Sequence, residues 1–329
     1  MSEPFDHLLI EPMLETKEFC KYLSQNQYNG QGITNNAYAR ADRFLKHYMP
    51  RLADTFDFKG RNVVEIGCGS GSITHAFASC FEKVDAFEIL PHTIKLCEKR
   101  ADLYNLKHMN FWCYPPENLV EQALKHVKSN SIIVLHAVLE HMTDFERIQT
   151  LEAIWAVMGP DNYLFIGNTP NRYSYMDLHT HQTSFLLSLP DYIALRYFEI
   201  YPDVGMAQHL LQINREEGFE EFCITRRRRG MGVSFHDFQI ATGNENLNEC
   251  VVISNFAKPW AFFDTLLAAY FLQEKIEQPM CFSIRDMHFL MKKPADQNER
   301  DKIRTDNQAV RKDFQSVVKN VLSKFTSDL

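Results

Sequence analysis

Val63-Val64-Glu65-Ile66-Gly67-Cys68-Gly69-Ser70-Gly71 is the stretch on which the reading of this chain turns. Val63, Val64 and Ile66 make a short buried strand, and the alternating glycines after it make a tight turn that opens a helix from about Ser72. Glycine lacks the Cβ that would hold a ligand away from the backbone, so such a turn is a ligand cradle. A second strand, Val84-Asp85-Ala86-Phe87-Glu88-Ile89, again ends in an acid, and an acid there suits a ribose diol. The glycines do not follow the G-x-G-x-x-G spacing of dinucleotide sites. They alternate, with an acid two positions before the first.

Two more blocks continue the pattern. Ser131-Ile132-Ile133-Val134-Leu135-His136-Ala137-Val138-Leu139-Glu140-His141-Met142 is a buried strand running into a polar, helix-starting segment. Tyr163-Leu164-Phe165-Ile166-Gly167-Asn168-Thr169-Pro170-Asn171-Arg172 is another strand and its turn. Together with the Glu65–Gly71 turn these blocks resemble the class I S-adenosylmethionine (SAM) methyltransferases. The turn is similar to their motif I, and Leu139-Glu140-His141 resembles the strand-four motif of ubiquinone-biosynthesis O-methyltransferases. The resemblance spans roughly residues 60–172, with a weaker echo near the C-terminus.

That resemblance implies an α/β, Rossmann-like fold: a doubly wound, seven-stranded, mostly parallel sheet with SAM as cofactor. Gly67, Gly69 and Gly71, with Cys68, would pass the methionine and ribose portions of SAM. Glu65 would lie beneath the turn near the amino group, and Glu88 would accept from the ribose hydroxyls beside Ile89. Glu117, Ala137 and Val138 complete the implied cofactor set. The chain departs from the family at Pro115, which stands where an acid near the adenine amine is usual. Adenine recognition is then left to a backbone carbonyl, to Glu117 or Asn118, or to stacking on Tyr114.

At 329 residues with 45 % apolar content, one core with insertions is expected. No apolar run of membrane-spanning length occurs, and Met1-Ser2-Glu3-Pro4-Phe5-Asp6 lacks a basic start and an apolar core, which predicts a soluble, cytoplasmic protein without membrane insertion. The eight cysteines contain no Cys-x-x-Cys pair, so reduced thiols are expected rather than a zinc ribbon or a disulfide framework. A formal charge of −7 counts against nucleic acid as the main partner. The basic run Arg226-Arg227-Arg228-Arg229 reads as a solvated loop, with a phosphate or carboxylate of the acceptor as the other reading.

Residues 1–59 read as a helical N-terminal cap, with Ala41, Phe44, Leu45, Tyr48 and Leu52 on one face. Residues 60–294 form the SAM-binding core, in which strands near 62–66, 84–88, 109–113, 131–136 and 162–167 alternate with helices. Two aromatic insertions, about 170–205 and 230–284, suggest a substrate lid. Between them Gly218-Phe219-Glu220-Glu221-Phe222-Cys223-Ile224 is expected as strand six, and Met287–Pro294 as an antiparallel strand seven. Residues 295–329 predict a charged C-terminal helix, docked on the body or on a second copy in a homodimer.

The reaction is read from histidines. Glu140 and His141 close strand four, and Asp177, His179 and His181 follow strand five. Two chemistries suit them: a histidine base for a substrate hydroxyl, drawn from His179, His181 or His141 with Asp177 beside them, or a divalent metal on Glu140, His141 and His181 that acidifies the hydroxyl. Related metal-dependent enzymes carry Glu-x-x-Glu-His; here the first glutamate is Ala137. Asp177-x-His179-x-His181 with Phe185 and Leu189-Pro190 also looks like methyltransferases of bacterial polysaccharide clusters. The expected function is therefore O-methylation of a polar small-molecule or glycan acceptor. The rivals are N-methylation of a small amine, RNA 2′-O-methylation, and a catalytically silent SAM-binding partner subunit.

Overall fold

A computed structural model describes residues 39–176, 183–254 and 263–326. The helical lead-in runs through α1 (Arg40–Arg43), a π turn (Phe44–Tyr48) and α2 (Met49–Ala53). The core follows as β1 (Asn62–Ile66), α3 (Thr74–Ala78), β2 (Lys83–Glu88), α4 (Pro91–Leu103), β3 (Met109–Cys113), α5 (Pro116–Leu124), β4 (Ile132–His136), α6 (Asp144–Val157) and β5 (Tyr163–Pro170). Beyond it lie α7 (Asp191–Ile200), α8 (Ala207–Glu216), α9 (Phe219–Arg228), α10 (Phe235–Thr242), β6 (Val251–Ile253), α11 (Phe263–Lys275), β7 (Asp286–Met291) and α12 (Gln297–Thr326).

Seven strands form one sheet in the order β3-β2-β1-β4-β5-β7-β6. β1 pairs in parallel with β2 (Val63 opposite Val84) and with β4 (Val63 opposite Ile132), and β2 in parallel with β3. β1 and β4 are apolar on both faces because each lies between two neighbours and under helices, which is the composition an interior parallel strand needs. β3 is largely half-buried or exposed, as an edge strand can be. β7 runs antiparallel to β6. The doubly wound, mostly parallel fold expected from the sequence is borne out.

Contacts divide the chain into two units, one of residues 1–136 and 157–165, the other of 137–156 and 166–329. In the first unit the lead-in helix buries Ala41, Phe44, Tyr48 and Leu52, with Leu45 half-buried. The Phe44 ring lies 4.6 Å from Phe77 and 5.5 Å edge-on to Phe165.

In the second unit Leu186, Ala194, Leu195, Phe198, Ala207, Leu210 and Phe222 make a small helical core of their own. The C-terminal helix α12 buries Phe314 and Val318 against Ala269, Met280 and Ile284, and Asn307 donates to the Val251 carbonyl at 2.7 Å.

Two sequence expectations are corrected here. Residues 219–224 are not strand six but the first turns of α9, entered through Gly218 at φ 96°. Phe222 and Arg226, four apart, are the buried pair of that helix, and a six-residue apolar stretch fits either period. The sixth strand is instead Val251–Ile253, inside the second insertion.

The arginine run is neither a solvated loop nor an open anion site. Arg226 is buried on Asp191 at 2.6 Å and on the Leu186 and Leu189 carbonyls. Arg227 pairs with Asp191 at 2.8 Å and Arg228 with Glu146 at 2.6 Å.

Candidate functional site

The first unit holds the glycine turn. Gly67, Gly69 and Gly71 all have positive φ, at 76°, 53° and 71°. Gly67 and Cys68 both donate to the Phe87 carbonyl, at 2.8 and 3.0 Å, which ties the turn to the end of β2. A Cβ on Gly69 would meet nothing within 4 Å, so the space above it is open. A Cβ on Gly71 would collide with the Cys97 Sγ and the His75 ring, both 2.9 Å away. His75 is buried and donates Nδ1–H to the Gly71 carbonyl. Burial and the Arg100 charge push its pKa down to about 3, so it is neutral.

Glu65, next to last in β1, is 1 % exposed, and its Oε2 has no hydrogen-bond partner among the described residues. Burial lifts its pKa to about 7, the Thr74 hydroxyl offsets part of the rise, and the Glu88 charge adds to it. An acid held this way at a glycine cradle is poised for a cation. Glu88 also has backbone partners: Oε2 accepts from Gly69 N at 2.8 Å and Oε1 from Ile89 N and Leu90 N at 2.8 and 3.2 Å. It is first a clamp on the turn, and its carboxylate keeps spare lone pairs for a diol.

Ile89 is 39 % exposed and Glu117 lies exposed in the first turn of α5. The Pro115 carbonyl already accepts from Asn118 and Leu119, both at 3.0 Å, and the Tyr114 ring is stacked on Phe87. That takes the Pro115 carbonyl largely out of the adenine alternatives.

In the second unit Ala137 has φ 56° and donates to the Gly167 carbonyl at 2.8 Å; Val138 precedes the 3-10 turn Leu139–His141. Asn168 is left-handed too, at φ 51°, its N–H held by the buried His288 at 3.0 Å. Glu140 is fully buried, whereas His141 is exposed with Nδ1 3.0 Å from the Arg228 carbonyl. A carbonyl only accepts, so Nδ1 carries the proton and Nε2 is the basic nitrogen.

Arg147 ties this region together. It donates to the Leu139 and Gly232 carbonyls at 3.3 and 3.2 Å and to Asp237 at 3.1 Å, and it pairs with Asp144.

Asp177, His179 and His181 lie outside the described residues. Among the described residues no three His, Cys, Asp or Glu side chains gather as a metal would require. A pair that sequence reasoning missed is Tyr173 and the exposed His236, whose Oη and Nδ1 are 2.8 Å apart, with the Phe235 ring stacked on the imidazole. They are far apart in the chain. Only the bridge between Asn171 and Val233 brings them together.

The family model described as a methyltransferase domain matches residues 64–164, the stretch from β1 to β5 that carries the glycine turn. That stretch is similar to a methyltransferase domain. Among curated relatives, the ubiquinone biosynthesis O-methyltransferase of Coxiella burnetii (strain RSA 493 / Nine Mile phase I) is 25 % identical over 166 residues, which cover 50 % of this chain and 66 % of the relative. The chain thus spans just under two thirds of the length of that relative.

Among solved structures, an S-adenosylmethionine-dependent methyltransferase from Clostridium acetobutylicum ATCC 824 overlays with a TM-score of 0.35 at 10 % identity, covering 43 % of this chain and 55 % of the other. The N-methyltransferase NodS from Bradyrhizobium japonicum WM9, in complex with S-adenosyl-l-homocysteine (SAH), gives a TM-score of 0.35 at 16 % identity over 46 % and 73 %. Overlays of that size say nothing about the acceptor. No helix among the described residues is long and apolar enough to cross a membrane.

Proposed function

We propose that this protein methylates a hydroxyl of a polar small-molecule or glycan acceptor at the expense of SAM, with His141 as the base. The observation that carries the SAM half is Glu65: a buried carboxyl oxygen without a protein partner, next to an open glycine cradle, fits the ammonium of the methionine portion. When bound, SAM supplies an electrophilic methyl group on a sulfonium. The residues of the chain do the rest. Glu88 sets the turn, Gly69 leaves room for the ligand, and Glu65 orients its amino end. Methyl transfer is an in-line displacement, so alignment and exclusion of water are the main demands on the protein.

The hydroxyl half rests on His141 and on the O-methyltransferase relative. His141 would take the proton of the acceptor hydroxyl on Nε2, the basic nitrogen of the tautomer that the Arg228 carbonyl selects. His236, backed by Tyr173, is the second candidate for that proton. SAM and SAH should each raise the melting temperature of the purified protein, and no shift with either sinks the reading. On a panel of hydroxylated aromatics and glycosides, His141→Ala should keep that shift and lower turnover by about 10²–10⁴. If His236→Ala shows this loss and His141→Ala does not, the base is His236.

A further inference from the structure

We propose that Cys68 and Cys97 form an oxidisable dithiol within the cofactor turn, a modification site for two-electron oxidants that turns cofactor binding off. This rests on the SAM reading of that turn. The two sulfurs lie 4.0 Å apart, Cys68 on the turn itself and Cys97 on α4. Both are unbridged and both are buried, Cys68 at 6 % exposure and Cys97 at 0 %. A disulfide needs about 2.05 Å between sulfurs, a gap that two side chains already facing each other close by turning about χ1.

The Cys97 thiol has a present duty. It donates to the Gly69 carbonyl at 3.2 Å while Glu88 accepts from the Gly69 N–H at 2.8 Å, so Gly69 is clamped on both sides. The same sulfur fills the place a Cβ on Gly71 would occupy. Oxidation therefore removes a donor from one glycine and shifts the atom packed against another.

The chemistry balances with hydrogen peroxide. The Cys68 thiolate attacks the peroxide oxygen, giving a sulfenic acid and water; the Cys97 sulfur then displaces the sulfenic oxygen as a second water, closing the S–S bond. Two electrons and both thiol protons pass to the peroxide. Its contact with the Cys97 sulfur, and then burial, push the Cys68 thiol well up in pKa. The ligand-free turn therefore reacts slowly, and a ligand over Gly69 slows it further.

The test uses the full chain, reduced and then treated with hydrogen peroxide. Peptide mapping should find a Cys68–Cys97 disulfide with a loss of two hydrogens. SAH affinity measured by calorimetry should fall at least about tenfold and recover with dithiothreitol, and prior SAH should slow the oxidation. Cys68→Ala and Cys97→Ala are each compared with their own reduced form, and peroxide should leave that ratio unchanged.

A map without this disulfide overturns the proposal. So does a disulfide that leaves SAH affinity within twofold, or an equal loss in both variants. If the reduced protein binds neither SAM nor SAH, the SAM reading falls, while the mapping still decides whether the dithiol forms.

Discussion

At Glu65 the strand and the ligand place opposite demands on one side chain. Burial favours the neutral acid, with a pKa near 7, and a cationic ligand favours the carboxylate. The unfolded chain releases this proton from about pH 4.5 upward, the folded one only near pH 7. Between those values the folded state holds more protons, so ligand-free stability falls as pH rises from about 4.5 to 7, by roughly 3 kcal/mol in all, and levels off above.

Binding runs the other way: SAM affinity should rise about tenfold per pH unit up to about 7 and then flatten. Glu65→Gln should abolish both slopes, which melting curves and calorimetry across pH would read. Gly69→Ala and Gly71→Ala make a paired test. The first places a methyl in open space and should cost about 1 kcal/mol of stability while blocking the ligand; the second meets Cys97 and His75 and should cost several times more.

At the scale of elements α9 teaches most. Arg226 is nearly out of solvent and holds one carboxylate and two carbonyls, so Arg226→Ala leaves Asp191 to Arg227 alone, strips the Leu186 and Leu189 carbonyls of their donor, and should cost about 3–5 kcal/mol. Arg228→Ala, at a half-exposed pair, should cost under about 1 kcal/mol. Denaturant melts of both variants would check the contrast, and equal effects would contradict it.

The same helix marks where sequence reading stopped. β1, β2 and β4 are legible because their apolar runs are bounded by turn residues and buried on both faces. Phe219 to Ile224 satisfies two periods at once, and what settles it is Arg226, a charge whose burial depends on Asp191, 35 positions away. The glycine turn was legible because its constraints are local. The Tyr173–His236 pair was not, because its members meet only through the Asn171–Val233 bridge.

Over the whole molecule, the formal charge of −7 and a pI of about 6.0 set the expectation for partners. The one dense basic run spends Arg226, Arg227 and Arg228 on Asp191 and Glu146, which leaves little of it for phosphates. The protein should therefore not retain duplex or single-stranded RNA at 0.15 M salt in a filter-binding assay; salt-sensitive retention would revive an RNA acceptor.

Ala137, just past β4, and Asn168, two residues before the end of β5, both hold a left-handed backbone without being glycine. For anyone reshaping this protein, that fixes where redesign is closed. Valine, isoleucine or threonine at either position would force a branched Cβ into a conformation that already costs an alanine about 1–2 kcal/mol. Libraries aimed at new acceptors should hold these two positions to small or amide residues and put their diversity at Tyr173, after β5, and at His236, in the first turn of α10.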